Sequence, residues 1–427
     1  MLPELLMPAG NFEKMCYAFA YGADAVYAGV PKYSLRAREN QFRDEQSLCE
    51  ALDYAHKRGK KVYLTTNILP HNSKIDGFLN SLDALMDCRP DAFITADPGL
   101  IRLMHRRFPQ IEIHLSVQAN CVNWASARFW YEQGVKRIIL SRELSISEIA
   151  EIHARVPEVE LEAFVHGSIC IAYSGRCLLS NYFNHRDANQ GTCTNSCRWG
   201  YQLYGQNGPA DDASPQYRPV EGQYFLEQSD RSGELMPVDE DEYGTYIMNA
   251  KDLMALPHLR ELQQAGVMSF KVEGRSKSIY YVARIASIYR RAIAMLEADD
   301  YPIEPLLAEV EEVANRGYTT GFLTRRPQQY GINYTTARPR SRTLRYAARV
   351  GEFDRQSGCQ RIDVRNKIKV GDELTLIRPG GDNTKLTITE LFDRQMQPVR
   401  EISGGIDGAA MRVREALPAN SLLAVPT

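Results

Sequence analysis

The sequence predicts an α/β protein, a TIM-barrel-like (β/α)8 domain over residues 1–330 followed by a small all-β domain. Three observations carry this. Apolar runs of strand length alternate with helical patterns from residue 4 to residue 296, no glycine-rich dinucleotide turn follows the first run, and strand patterns alone occupy residues 349–427.

The strand candidates are 4–10, 24–29, 61–67, 92–97, 112–118, 137–141, 161–167, 246–249 and 267–273, each ending in small or polar residues. Short runs that are apolar on both faces bury best as parallel strands sheathed by helices, and helical patterns lie between them at 12–21, 48–60, 124–133, 145–156, 250–264 and 279–296. A closed barrel needs eight strands, so at least one of the nine candidates is expected to be miscalled or peripheral. A single hand of connection lets the last strand seal the first; an open doubly wound sheet is the competing solution. After the first run the chain reads PAGNFEK, with one glycine where a dinucleotide turn needs a spaced set.

The rhythm breaks after Ser180, in a cysteine-rich insertion expected over 168–245 that is dense in Gly, Pro, Asp and Ser. Arginines then recur at 325, 326, 338, 340, 342, 345 and 349 with no acid between them, so 331–348 reads as a basic linker. Strand patterns at 349–353, 361–364, 373–377, 385–389 and 421–425, with a turn glycine in NKIKVGDEL, predict a small β-barrel domain over 349–427.

With 427 residues, 44% hydrophobic and 24% charged, the chain is neither disordered nor a small disulfide-stapled domain. A formal net charge of −2 argues against wholesale coating of nucleic acid but permits a local basic surface for a small folded RNA. No apolar run approaches the roughly 18 to 20 residues that cross a bilayer. The start carries Glu4 and Glu13 and no basic segment, so a cytoplasmic protein without transmembrane contact is expected.

Nine cysteines are present, and four of them cluster at Cys170, Cys177, Cys193 and Cys197, as CIAYSGRC and CTNSC. Four thiolates suit a soft metal centre, and Cys170 closely follows the seventh strand candidate, at the barrel end where reactive sites are built. Structural zinc usually takes two tight knuckles, and only Cys193–Cys197 has that spacing. A [4Fe-4S] cluster is favoured; zinc and simple buried thiols stay open.

Polar residues at strand ends converge over one mouth in such a barrel. Asn67, Asp97, Gln118 and His166 are the candidate catalytic residues, His166 lying four residues before Cys170. Arg36, Arg38, Arg142 and Arg275 are candidate substrate anchors, because guanidinium forks suit a small dianion better than lysine point charges. Arg338 and Arg345, with Tyr334 and Tyr346, suit an RNA backbone and a loose base. The alternatives are a histidine satisfied in the rim and arginines paired with Glu143 or Glu273. The spacing in EAFVH is not HExxH, and no GxSxG elbow surrounds Ser168 or Ser174.

The segments ELLMPAGNFEKMCYAFAYGADAVYAG, HLSVQANCVNW, SRELS, EAFVHGSICIAYSGRCLLS, NQGTCTNSCRW, YGTYIMN and KVEGRSKSIYY resemble the U32 family, historically named collagenase-like peptidases, over nearly the whole chain. They are most similar to its branch that hydroxylates the wobble uridine of tRNA. The resemblance implies conversion of uridine 34 to 5-hydroxyuridine with prephenate as co-substrate and without molecular oxygen. It makes Cys170, Cys177, Cys193 and Cys197 the cluster ligands. The implied partners are the tRNA anticodon loop, prephenate, the iron–sulfur assembly machinery and an electron donor. A U32-type peptidase and a non-catalytic iron–sulfur or tRNA scaffold are the alternatives. Hydroxylation at C5 requires net oxidation, which a redox centre supplies and paired carboxylates do not.

Overall fold

The computed structural model describes residues 2–35, 40–170, 172, 173, 176–198, 250–324 and 343–427, and the backbone of five short strands between 204 and 246. Eight parallel strands close into a barrel: β1 (Glu4–Pro8), β2 (Ala25–Gly29), β3 (Lys61–Thr65), β4 (Ala92–Thr95), β5 (Glu112–Leu115), β6 (Arg137–Ile139), β7 (Glu160–Ser168) and β8 (Val267–Val272). Closure comes from β8, which pairs with β7 on one side and with β1 on the other, Leu5 opposite Phe270.

The outer helices are α1 (Phe12–Ala20), α2 (Glu45–His56), α3 (Ile75–Met86), α4 (Pro98–Arg107), α5 (Trp124–Glu132), α6 (Ile146–Arg155), α7 (Leu259–Gln264) and α8 (Ile279–Ala294). Their starts are set locally. Asn11, Asp97, Asn123 and Ser278 each accept a backbone N–H of the first turn, and Ser145 with Glu148 forms a capping box.

Strand alternation divides the core in two. Leu6, Tyr27, Tyr63, Ile94, Ile139 and Phe164 form one cluster filling the barrel, while their neighbours Leu5, Val26, Val62, Phe93, Ile138 and Val165 pack with the helices. One interior layer is ionic. Arg137 reaches Glu4 at 2.7 Å, Glu160 at 2.9 Å and Glu162 at 3.2 Å, and Lys271 Nζ reaches Glu162 at 2.8 Å. Buried charges persist only when paired in this way.

The peripheral strand candidate was 246–249. Gly244–Tyr246 instead pairs antiparallel with Leu235–Asp241, outside the barrel, and 247–249 lie outside the described residues. The helix expected over 250–264 is also corrected, to a strand at Asp252–Met254, a 3-10 turn at Leu256–His258 and then α7. The backbone of Asp252 and Leu253 pairs with Ser168 and Gly167 at the end of β7, and Pro257 fits only a first turn.

The C-terminal region is an antiparallel sheet of β9 (Leu344–Asp354), β10 (Cys359–Val364), β11 (Glu373–Ile377), β12 (Thr384–Thr387), β13 (Ile406–Arg412) and β14 (Leu422–Pro426), with two further short strands, in the order β12-β11-β14-β9-β10-β13. Strand β9 begins at Leu344, inside the stretch expected to be linker, because Ala347, Ala348 and Val350 bury into this sheet's core. Gly351 is not an interruption: the strand continues through a register shift between Val350 and Phe353. The two units share a core, since Ile377, Leu422 and Ala424 join the cluster under the barrel helices. Among the described residues no helix is long and apolar enough to cross a membrane.

Candidate functional site

At the C-terminal end of the barrel strands lies a cavity of about 170 Å³. Its walls come from the ends of β2, β3, β4, β6, β7 and β8, the loops after β2, β3, β5, β6, β7 and β8, and the start of the cysteine-rich insertion. The topology dictates this, because parallel strands deliver all their following loops to one face.

All four clustered cysteines line the cavity, and all are free thiols. Cys170 follows the end of β7 by two residues, and the later pair is fixed by local hydrogen bonds. Asn184 Nδ2 donates to Ser196 Oγ at 2.9 Å, and Ser180 Oγ lies 3.0 Å from Thr194 Oγ1. The segment is tied to the barrel loop after β3, where Leu69 N donates to Asn189 O at 3.2 Å and Lys74 Nζ to Gln190 Oε1 at 2.8 Å. Four thiols on one cavity are the donor set an iron–sulfur cluster takes, and in kind they fit it. Among the described residues no three Cys, His, Asp or Glu side chains are drawn into a coordination sphere. Elsewhere Cys49 of α2 is joined to Cys88, just beyond α3, in a disulfide.

Of the other expected site residues, Asn67, Gln118, Arg142 and Arg275 meet in this cavity. Asn67 donates to Ser116 Oγ at 3.2 Å and accepts Leu35 N at 3.1 Å, so it braces two loops as well as lining the wall. Arg142 lies 3.8 Å over the Phe164 ring. Arg275 is 7% exposed; it donates to Thr65 Oγ1 at 3.2 Å and contacts the Leu35 carbonyl, so much of its fork is already engaged in holding the mouth.

His166 and Asp97 are not among the cavity's lining residues. The His166 ring is 1% exposed, packed among Tyr281, Tyr289 and Tyr318, with Nδ1 at 3.2 Å from Tyr289 Oη. Burial pushes its pKa down to about 3, so it stays neutral. Asp97 is the cap of α4, accepting Leu100 N at 2.9 Å. Arg345 is an exposed residue of β9 away from the mouth. Arg36, Arg38 and Arg338, and Tyr334, lie outside the described residues.

The residue that sequence reasoning missed is Lys271. It lines the cavity, 3% exposed, with its ammonium 4.5 Å from the Tyr27 ring centre and 2.8 Å from Glu162. Its signal was present in VMSFKV, a lysine two residues after Ser269 on the inward register of a mostly apolar strand. Tyr27 was missed too; its hydroxyl sits 3.0 Å from Val272 O and 3.2 Å from Glu273 Oε2. The lining therefore sets Lys271, Arg142 and Arg275 against a single carboxylate, Glu273, over an apolar floor of Ile94, Ile139 and Phe164. Such a mouth suits a compact anion with an apolar body. Glu162 is no free acid: it is fully buried, and although burial alone would raise its pKa, Lys271 and Arg137 hold it below the usual carboxylate range.

Fold and site together define a (β/α)8-barrel protein with a cysteine-lined, cationic mouth and an appended β-domain. The chain belongs to peptidase family U32: the family profile matches residues 10–333, and the profile of the U32 C-terminal domain matches 342–424. It is 48% identical over 400 residues to "tRNA hydroxylation protein P" of Escherichia coli (strain K12), covering 89% of this chain and 87% of that protein. It is 47% identical to the protein of the same name from Haemophilus influenzae, covering 93% and 90% of the two chains. The Escherichia coli "23S rRNA 5-hydroxycytidine C2501 synthase" is 31% identical over 290 residues, covering 68% of this chain and 39% of that protein.

Proposed function

We propose that this chain hydroxylates the wobble uridine of tRNA at C5, with prephenate as co-substrate and without molecular oxygen. The observation that carries this is the meeting of Cys170, Cys177, Cys193 and Cys197 with three cations on one barrel mouth. It occurs in a chain 48% identical to a tRNA hydroxylation protein. The rRNA synthase, a relative that by its name also makes a 5-hydroxypyrimidine, supports the same reaction class.

The four cysteines would hold the iron–sulfur centre, which when bound supplies one-electron chemistry that no side chain here provides. The remaining roles fall to the chain itself. Lys271 and Arg142 supply the positive charge that two carboxylates require, and Arg275 keeps the loop after β8 against β3. Ile94, Ile139 and Phe164 accept an apolar ring and exclude water from it. Gln118 and Asn67 present amides for the hydrogen-bonding edge of a pyrimidine, which must leave its stack to reach the mouth. Glu273, beside Tyr27, is the carboxylate placed to take or return a proton. His166 and Asp97, engaged as they are, serve structure. A tRNA substrate would be met in the cytoplasm, and a cluster would bring the protein to the iron–sulfur assembly machinery and a redox partner.

Deletion of the gene tests the reading. Nucleoside mass spectrometry of total tRNA is expected to show loss of 5-hydroxyuridine and its derivatives, restored by the wild-type gene but not by a Cys193→Ser copy. Unchanged levels in a strain with no second copy of such a gene would overturn it. The peptidase alternative rested on the family's historical name and on Glu162 or His166 near a possible metal, and both of those side chains are buried and engaged.

A further inference from the structure

We propose that the groove between the barrel and the small β-domain is a second nucleotide subsite for the same RNA, with a phosphate at Arg345 and Lys277 and a base against Tyr346, which Tyr280 backs from the core. This rests on the RNA reading above and extends it to a surface outside the mouth.

The groove has a volume of about 500 Å³ and is walled by Lys277, Tyr280 and Tyr281 of the barrel and by Arg345, Tyr346 and Asn366 of the β-domain. Its two charged side chains, Lys277 and Arg345, are both cations, and Thr427 lines it beside them. Arg345 is exposed and free to turn its fork toward a phosphate oxygen. Tyr280 and Tyr346 come from opposite sides of the junction and stack with ring centres 5.4 Å apart and planes 21° from parallel. Cationic rims beside aromatic faces are the construction that single-stranded RNA uses, phosphate on the charge and base on the ring. Asn366 donates its amide to Tyr346 O at 2.7 Å, which leaves its carbonyl oxygen as an acceptor for a base N–H.

The groove and the mouth share one wall. Glu273 and Arg275 line the mouth, Lys277 and Tyr281 line the groove, and Tyr281 Oη donates to Glu273 O at 2.8 Å. A strand of RNA with one base in the mouth therefore runs naturally to this groove. The β-domain's role is to complete the subsite, since Arg345, Tyr346 and Asn366 all come from it.

The test uses the full-length protein and an unmodified tRNA transcript, with affinity measured by fluorescence anisotropy over a range of salt. Arg345→Ala is expected to weaken binding on the order of 5-fold and to make the salt slope shallower by about 0.7 to 0.9, while Arg345→Lys keeps the slope. Tyr346→Leu is expected to weaken binding with the slope unchanged. Wild-type binding with Arg345→Ala and Tyr346→Leu both indistinguishable from it would overturn the groove and leave the RNA reading standing. A wild-type protein that fails to bind tRNA at low salt would overturn both.

Discussion

Lys271 Nζ and Glu162 Oε1 stand 2.8 Å apart inside the barrel, both side chains almost wholly removed from solvent. The pair joins two functions. Its lysine forms part of the mouth, and its glutamate passes the charge balance down to Arg137 and Glu4. Removing one member of a buried pair leaves the other charge uncompensated, which typically costs about 3–5 kcal/mol. Glu162→Gln is expected to lose that much in urea unfolding, and Glu162→Gln with Lys271→Met to lose less. Because the folded-state pKa of Glu162 lies below its unfolded value, its contribution is complete above the unfolded pKa and fades as pH falls through the folded one. A loss under about 1 kcal/mol for the single variant would show the pair to be solvated.

His166 is expected to remain neutral in the native protein throughout the neutral and mildly acidic range. Its folded pKa of about 3 lies below the unfolded value of roughly 6.5, so the stability present above pH 6.5 is lost as pH falls toward 3, by at most about 1.4 kcal/mol per pH unit. The imidazole proton resonances measured between pH 8 and pH 5 check this: they should not move. A titration midpoint near 6.5 would mean that the ring reaches water.

The β-domain is expected to depend on Tyr21, whose hydroxyl lies 2.9 Å from Ile377 O and 3.0 Å from Asn420 O across the junction. Tyr21→Phe removes that donor from partly buried carbonyls and should cost about 1–3 kcal/mol. Thermal unfolding checks it, and an unchanged midpoint would show the junction to be held by its apolar contacts and the Arg349–Glu13 ion pair alone.

Much of the barrel was legible because parallel strands buried on both faces leave continuous apolar runs, and their polar terminal residues mark the mouth. Asn67, Gln118 and Arg142, named that way, line the cavity, as does Arg275, named for its guanidinium fork. The same rule also names Asp97 and His166, which do not line the cavity, since strand ends also carry helix caps and side chains that turn behind the wall. Lys271 escaped because a single lysine in FKV reads as a solvent-facing residue unless the strand is known to have no solvent-facing side. The helix expected over 250–264 failed for a tertiary reason: the end of β7 offers backbone pairing that Asp252–Met254 takes, and Arg316 holds Asp252 at 2.5 Å.

Protein purified without oxygen is expected to be brown, with iron and sulfide bound, and Cys193→Ser to bind less of both while tRNA affinity is retained. Colourless protein carrying zinc would reassign the four thiols to a structural site.

The most direct measurement is reconstitution of the anaerobically purified protein with prephenate and an unmodified tRNA transcript, followed by nucleoside mass spectrometry. A uridine one oxygen heavier is expected at the wobble position, formed only when prephenate is present and lost with Lys271→Met. Product formed equally well without prephenate, or no product from cluster-loaded protein that binds the tRNA, would contradict it.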